Sequence, residues 1–118
     1  VNDMQTGINV ITASTSMFYL KNGEKAIDTG SFVKILEDIT LTKIENFGKP
    51  SLKYFSIAGD ILKDIAENIF VIGDDWNTDI IGANKYGAKS ILVKSGKYKI
   101  NDEKKCNPYK IVKSLIEL

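Results

Sequence analysis

The second half of the chain alternates short, unbroken apolar runs with stretches in which apolar residues recur every three or four positions. The runs at Ile69–Ile72 and Ser90–Val93 predict strands buried on both faces of a sheet. A helical stripe follows Pro50, a residue favoured in the first turn of a helix, and consists of Phe55, Ala58, Leu62 and Ile65. A short helix is predicted over Thr78–Tyr86, with Gly87 as its C-terminal cap. Strands and helices in this order predict an α/β fold with a parallel sheet and right-handed crossovers.

The two ends of the chain carry further signals. In the first part of the chain, strands are predicted at Ile8–Ala13 and Lys43–Phe47, and a tight turn of the Asn-Gly type is predicted at Lys21–Glu24. A helix is predicted over Phe32–Ile39, with Thr29 and Ser31 as candidate N-caps. At the other end, a lysine-rich loop leads to Asn107 and Pro108, which predict the start of a final helix. Its apolar side would consist of Ile111, Val112, Leu115 and Leu118.

Composition narrows the chemistry more than it narrows the fold. The 118 residues include 43% hydrophobic and 26% charged residues, with a formal net charge of +1. This composition is typical of a globular domain and gives no reason to expect a nucleic-acid or membrane partner. All 16 basic residues are Lys, and the chain has no His. Without imidazole or guanidinium groups, any catalysis or ligand binding must use carboxylates, Lys, hydroxyls and backbone amides. This set of groups suits Mg²⁺ and phosphate groups. The single Cys106 cannot form a disulfide within the chain, so we expect a reducing, cytoplasmic setting.

A cluster of three carboxylates follows the strand predicted at Ile69–Ile72. Asp74, Asp75 and Asp79 lie within six residues of one another, and such carboxylates repel one another unless a cation lies between them. Ligands of open parallel sheets bind beyond the C-terminal ends of the strands. The cluster therefore predicts a Mg²⁺ site. The alternative is that the first two residues are solvated loop residues and Asp79 is an early-turn carboxylate that favours the helix dipole.

Two lysine-containing segments are weaker candidates. Lys49 lies between Gly48 and Pro50, immediately before a predicted helix N-terminus, where anions are favoured. It is a candidate phosphate ligand, or else a surface residue in a tight turn. The segment Ser95–Lys99 follows the second buried strand and would contact a phosphate or a leaving group, although a solvated basic loop is the commoner use of such a segment.

Three segments together resemble the haloacid dehalogenase-like (HAD) phosphatases of subfamily IIA. They are Gly48–Ser51, Ile69–Gly87 and Ser90–Lys99. The subfamily includes NagD-like nucleotide phosphatases and p-nitrophenyl phosphatases. The segments Gly73–Asp75 and Lys94–Lys99 are most similar to the branch that holds the phospholysine phosphohistidine inorganic pyrophosphate phosphatase and the haloacid dehalogenase-like hydrolase domain-containing proteins. The resemblance implies a Rossmann-like parallel sheet, with the C-terminal half of the HAD core at 43–118 and the end of a cap domain at 1–42.

The resemblance also implies a role for each candidate residue. Lys49 matches the lysine that binds and neutralises the phosphoryl group, and Asp74 matches the direct Mg²⁺ ligand, so these two residues are the expected catalytic pair. Asp75 is a weaker or indirect metal ligand, and Asp79 binds the metal or orients Lys49. A small phosphorylated substrate is expected.

The chain departs from the family in one respect, because it contains no Asp-x-Asp sequence. The family uses this motif as nucleophile and general acid/base. We therefore expect a Mg²⁺-dependent phosphatase present as a fragment and inactive alone, which forms a homo-oligomer or associates with the missing N-terminal half. Two alternatives stay open. One is a non-catalytic module that binds metal, phosphate or another molecule, and the other is an unrelated receiver-like domain.

Overall fold

The computed structural model describes all residues from Val1 to Leu118 and divides into two units, Val1–Gly48 and Lys49–Leu118. The first unit contains helices α1 (Asn2–Gln5) and α2 (Thr29–Thr40) and strands β1 (Ile11–Thr12), β2 (Phe18–Lys21), β3 (Glu24–Ile27) and β4 (Glu45–Asn46). The second contains helices α3 (Leu52–Leu62) and α4 (Ile81–Tyr86) and strands β5 (Phe70–Gly73), β6 (Lys89–Val93) and β7 (Lys110–Val112). No helix has both the length and the apolar character needed to cross a membrane.

In the first unit, β2 and β3 form an antiparallel hairpin. Its turn residues Asn22 and Gly23 both have positive φ, 53° and 83°, as the favoured two-residue hairpin turn requires. The predicted turn is therefore confirmed. The predicted caps of the following helix are wrong, because α2 is capped by Asp28, whose side chain accepts a hydrogen bond from the Thr29 amide. Ser31 Oγ instead donates to the Met17 carbonyl, at 2.8 Å.

A second, parallel pair of strands completes the first unit. Ile11 pairs with Glu45 and Thr12 with Asn46, so β1 and β4 are both shorter than the predicted strands. The Phe47 amide donates to the Thr12 carbonyl at 2.8 Å and extends the contact by one residue. The division into a cap and a core at residue 42 stays a prediction.

The second unit is built on a three-stranded parallel sheet in the order β5-β6-β7. Helix α3 begins after Ser51, whose side chain accepts a hydrogen bond from the Lys53 amide. Helix α4 ends at Gly87, which has a positive φ of 93°, so the predicted C-terminal cap is confirmed. The predicted α/β class with a parallel sheet is also confirmed.

Two apolar clusters stabilise this sheet. One consists of Phe55, Ala83 and Ala88, with Ile69, Val71 and Tyr86 packed against it. There is no room for a side chain at Gly82, because a Cβ atom would overlap the Phe55 ring. The other cluster consists of Ile91, Val93 and Val112. The central strand β6 is buried, as predicted.

Strand β5 differs from the prediction because it is not buried on both faces. Phe70 is 51% exposed and Ile72 is 44% exposed. The strand lies at the end of the sheet order and pairs with β6 alone. Its continuous apolar run therefore marks a strand with one partner and a partly open face.

The predicted C-terminal helix is wrong. Lys110–Val112 forms β7, which pairs in parallel with β6, and a single 3₁₀ turn follows at Leu115–Glu117. The Lys94 amide donates to the Val112 carbonyl at 2.9 Å. The β-branched residues Ile111 and Val112 suit a strand, and the open side of β6 provides hydrogen-bond partners that local helical spacing does not reveal.

Candidate functional site

The acidic loop leaves the C-terminal end of β5 and turns at once. Its wide, π-helical turn at Trp76–Ile80 precedes α4, so the helical region begins earlier than predicted. Asp75 caps this turn, since its Oδ1 accepts hydrogen bonds from the amides of Asn77 and Thr78 at 3.0 and 3.3 Å. One oxygen of Asp75 thus stabilises the loop itself.

Asp79 connects the acidic loop to Lys49. Its side chain is only 7% exposed, and its Oδ1 lies 2.6 Å from Lys49 Nζ. Its Oδ2 accepts a hydrogen bond from the Asp75 amide at 3.2 Å. A Cβ atom at Gly73 would overlap the Asp79 carboxylate, which explains why glycine precedes the acidic residues. The structure thus brings Lys49 and Asp79 together, and the roles of both residues stay predictions.

Lys49 is oriented by this ion pair and stays accessible. It precedes α3 in the chain, and 44% of its side chain is exposed. Partial burial lowers the pKa of its ammonium. The hydrogen bond and the charge of Asp79, with a contribution from the charge of Asp74, raise this pKa by more than burial lowers it. The net pKa lies above the ordinary 10.5. Lys49 is therefore a positive charge at neutral pH.

Asp74 is held by the loop that follows β6. Its Oδ2 accepts a hydrogen bond from the Lys97 amide at 2.6 Å. Gly96 has a positive φ of 55°, and a Cβ atom there would overlap the same carboxylate oxygen. The Lys97 ammonium lies 3.6 Å from Asp75 Oδ2. One loop thus contacts both adjacent carboxylates.

Sequence reasoning underestimated this loop. The sequence pattern favours a solvated basic loop at Ser95–Lys99, and no residue of this segment is among the predicted site residues. The signal was present, because β5 and β6 were both predicted as neighbouring parallel strands. Loops at the C-terminal ends of such strands lie at one edge of the sheet.

The three carboxylates do not converge on one point. No group of three acidic, His or Cys side chains in the chain is arranged to hold a metal ion by itself. Asp79 is paired with Lys49, and Asp75 contacts the turn and Lys97. Asp74 uses only Oδ2 in its hydrogen bond. This donor set fits Mg²⁺, which usually takes one or two protein carboxylates and completes its shell with water and phosphate oxygens. The roles of Asp74, Asp75 and Asp79 as metal ligands stay predictions.

Comparison with known proteins identifies the class. A family model described as HAD-hydrolase-like matches residues 46–118, and the chain therefore belongs to this hydrolase family, as its resemblance to the HAD phosphatases predicts. Among relatives, haloacid dehalogenase-like hydrolase domain-containing protein 2 of Mus musculus is 38% identical over 102 residues, which are 86% of this chain and 39% of that protein. The phospholysine phosphohistidine inorganic pyrophosphate phosphatase of Xenopus laevis is 35% identical over 95 residues, or 80% of this chain and 35% of that protein.

A solved structure shows the same fold. The p-nitrophenyl phosphatase from Archaeoglobus fulgidus matches with a TM-score of 0.86 and 23% identity, covering 97% of this chain and 46% of that chain. At this identity the likeness shows the fold alone. The chain spans less than half the length of the relatives it matches.

Proposed function

We propose that this chain supplies Lys49 and Asp74 to the active site of a Mg²⁺-dependent phosphatase that hydrolyses phosphomonoesters or phosphoanhydrides. The observation that carries the proposal is the 2.6 Å contact between Lys49 and Asp79, which sets an ammonium beside the acidic loop. Membership of the hydrolase family supports it. In this proposal residues 43–118 belong to the catalytic core and 1–42 to a cap domain.

In the proposed site Lys49 binds a phosphoryl oxygen. A positively charged group fixed in advance stabilises the negative charge that develops on the transferring phosphoryl group. Asp79 is the orienting partner, because its buried carboxylate holds the ammonium at one end and the Asp75 amide at the other. The raised pKa of Lys49 keeps it charged at neutral pH.

Asp74 is the residue that would hold the cation. When bound, Mg²⁺ supplies further charge stabilisation to the phosphoryl oxygens. Asp75 mainly shapes the loop, since its Oδ1 caps the turn. The chain thus provides electrostatic groups around a phosphate.

The nucleophile in this proposal belongs to an Asp-x-Asp segment outside these 118 residues. A carboxylate there attacks phosphorus, the alcohol or phosphate leaving group departs with its bridging oxygen, and an aspartyl-phosphate forms. Water then releases inorganic phosphate and regenerates the carboxylate. Strand β5 pairs with β6 alone, so the backbone groups along its other edge offer a suitable place for the additional segment to associate.

The experiment compares the chain alone with the chain joined to the Asp-x-Asp segment of a family relative. We expect no hydrolysis of p-nitrophenyl phosphate by the chain alone, and Mg²⁺-dependent turnover by the joined protein. Lys49→Met or Asp74→Asn should lower that turnover by at least about 100-fold, as loss of preorganised electrostatic groups does. Lys85→Met, which removes an exposed lysine at the end of α4, is the matched control.

Full turnover after Lys49→Met or Asp74→Asn would contradict the proposal. Turnover by the chain alone would show that its own residues include the nucleophile. A joined protein that binds phosphate and Mg²⁺ without turnover would favour the alternative, a non-catalytic module.

A further inference from the structure

The turn Ser95–Tyr98, which follows β6, leaves the backbone amide of Lys97 available to a carboxylate of the acidic loop. The Tyr98 amide donates to the Ser95 carbonyl at 3.0 Å and closes the turn. Gly96 takes the first central position, with positive φ, where a turn of this kind requires glycine. The amide of Lys97 is not used in closing the turn. It donates instead to Asp74 Oδ2, at 2.6 Å.

We propose that the turn Ser95–Tyr98 is a positioning element that fixes one oxygen of Asp74 and thereby makes the cation site selective for Mg²⁺ over Ca²⁺. The inference rests on the proposed function, in which Asp74 holds the cation. Hydrogen bonds from an amide to a carboxylate are short and strong. With Oδ2 engaged by the Lys97 amide, Oδ1 is the oxygen whose lone pairs are both open to a cation.

This restriction affects the two ions differently. Mg²⁺ demands a small, near-octahedral shell and takes one oxygen from each carboxylate, whereas Ca²⁺ accepts six to eight ligands and often takes both oxygens of one carboxylate. A hydrogen bond to one oxygen of the carboxylate therefore weakens Ca²⁺ binding more than Mg²⁺ binding. The same loop places the Lys97 ammonium 3.6 Å from Asp75 Oδ2, which reduces the negative charge available for a second carboxylate ligand.

Gly96 is the residue on which this arrangement depends. An alanine there would be strained by the positive φ of 55°, and its Cβ atom would overlap Asp74 Oδ2. Gly96→Ala should therefore separate the carboxylate from the Lys97 amide and free both oxygens. Gly23→Ala is a matched control, because Gly23 also has a positive φ, 83°, but has open space around its missing Cβ.

The experiment is titration of the purified chain with Mg²⁺ and with Ca²⁺, followed by NMR of the backbone amides. We expect Gly96→Ala to reduce the ratio of the Ca²⁺ to the Mg²⁺ dissociation constant by about tenfold, the scale on which partners of metal ligands act. Gly23→Ala should leave the ratio unchanged. In the unsubstituted chain, the Lys97 amide proton should stay at low field when Mg²⁺ binds.

Each outcome decides the matter. An unchanged ratio in folded Gly96→Ala would overturn the inference and, if Asp74→Asn still weakens Mg²⁺ binding, would leave the proposed function intact. If Asp74→Asn does not weaken Mg²⁺ binding, both the inference and the proposed cation site are wrong. If Gly96→Ala does not fold, the Lys97 amide proton of the unsubstituted chain provides the test. A shift of its NMR signal on Mg²⁺ binding, to the chemical shift that it has in Asp74→Asn, would mean that the hydrogen bond to Asp74 is lost and would overturn the inference.

Discussion

Two pairs of adjacent acidic residues follow neighbouring strands of the same sheet, and their surroundings differ. Asp74 and Asp75 follow β5, and Asp102 and Glu103 lie in the long loop after β6. Asp102 is 3% exposed, with one oxygen bound to the Lys99 amide at 2.7 Å and the other to Lys105 Nζ at 2.8 Å.

Glu103 is similarly engaged through both oxygens. It accepts a hydrogen bond from the Tyr98 hydroxyl at 2.7 Å and from Lys94 Nζ at 3.2 Å. The second pair therefore spends all its oxygens on the fold of its own loop. In the first pair, Asp74 uses Oδ2 alone. If Asp74 is the cation ligand that we propose, the number of carboxylate oxygens left over, rather than the number of carboxylates, distinguishes a ligand site from a structural loop.

The largest effect on stability should come from the second pair. Asp102→Ala should lower the free energy of unfolding by about 2 kcal/mol, because the buried carboxylate of Asp102 binds both the Lys99 amide and the Lys105 ammonium. Asp74→Ala should cost about half as much, because it removes a single hydrogen bond at the end of the sheet. Urea denaturation of both variants measures the difference.

Asp60→Ala, at an exposed position on α3, serves as the control for removal of a carboxylate and should change stability by less than about 0.5 kcal/mol. Equal losses for Asp102→Ala and Asp74→Ala would break the comparison between the two pairs. They would show that the loop after β5 also depends on its carboxylate for folding.

A smaller effect is expected from pH. The hydrogen bond from Tyr98, with that from Lys94, lowers the pKa of Glu103 from 4.5 to about 2. A group whose pKa is lower in the folded state stabilises that state above its unfolded pKa, and this contribution disappears as the pH falls through the folded pKa. Stability should thus decline from about pH 5 to about pH 2, and Glu103→Gln should make the decline shallower.

Urea denaturation at several pH values in this range tests the expectation. Glu67→Gln, at an exposed position in the turn before β5, should keep the original pH dependence. The same slope for Glu103→Gln and the unsubstituted chain would mean that Glu103 is not the source of the decline.

Local patterns predicted the fold where neighbours along the chain decide it. The stripe after Pro50 corresponds to α3 except at Ile65, which lies beyond the end of the helix at Leu62, and the Gly87 cap ends α4. Local patterns failed to predict the fold where pairing with a strand distant in the chain decides the structure. Ile111 and Val112 fit a helical pattern, but the open side of β6 made them part of β7. The apolar run of β5 likewise did not reveal that one face is partly exposed.

The site shows the same limit. Lys49 and the three aspartates were singled out from chain order and strand ends, and the structure brings Lys49 and Asp79 together. Gly96 and Lys97 belong to a segment that the sequence marks only as a weaker candidate, because their contribution is a missing side chain and a backbone amide. A sequence records neither the direction of an amide nor the space beside a glycine.

The central claim is that Asp74, the carboxylate with an oxygen to spare, is the cation ligand. It is tested most directly by the Mg²⁺ affinity of Asp74→Asn and Asp75→Asn, measured by NMR titration against the unsubstituted chain. We predict that Asp74→Asn weakens binding by at least about tenfold and that Asp75→Asn weakens it less. Equal or reversed losses would contradict the account.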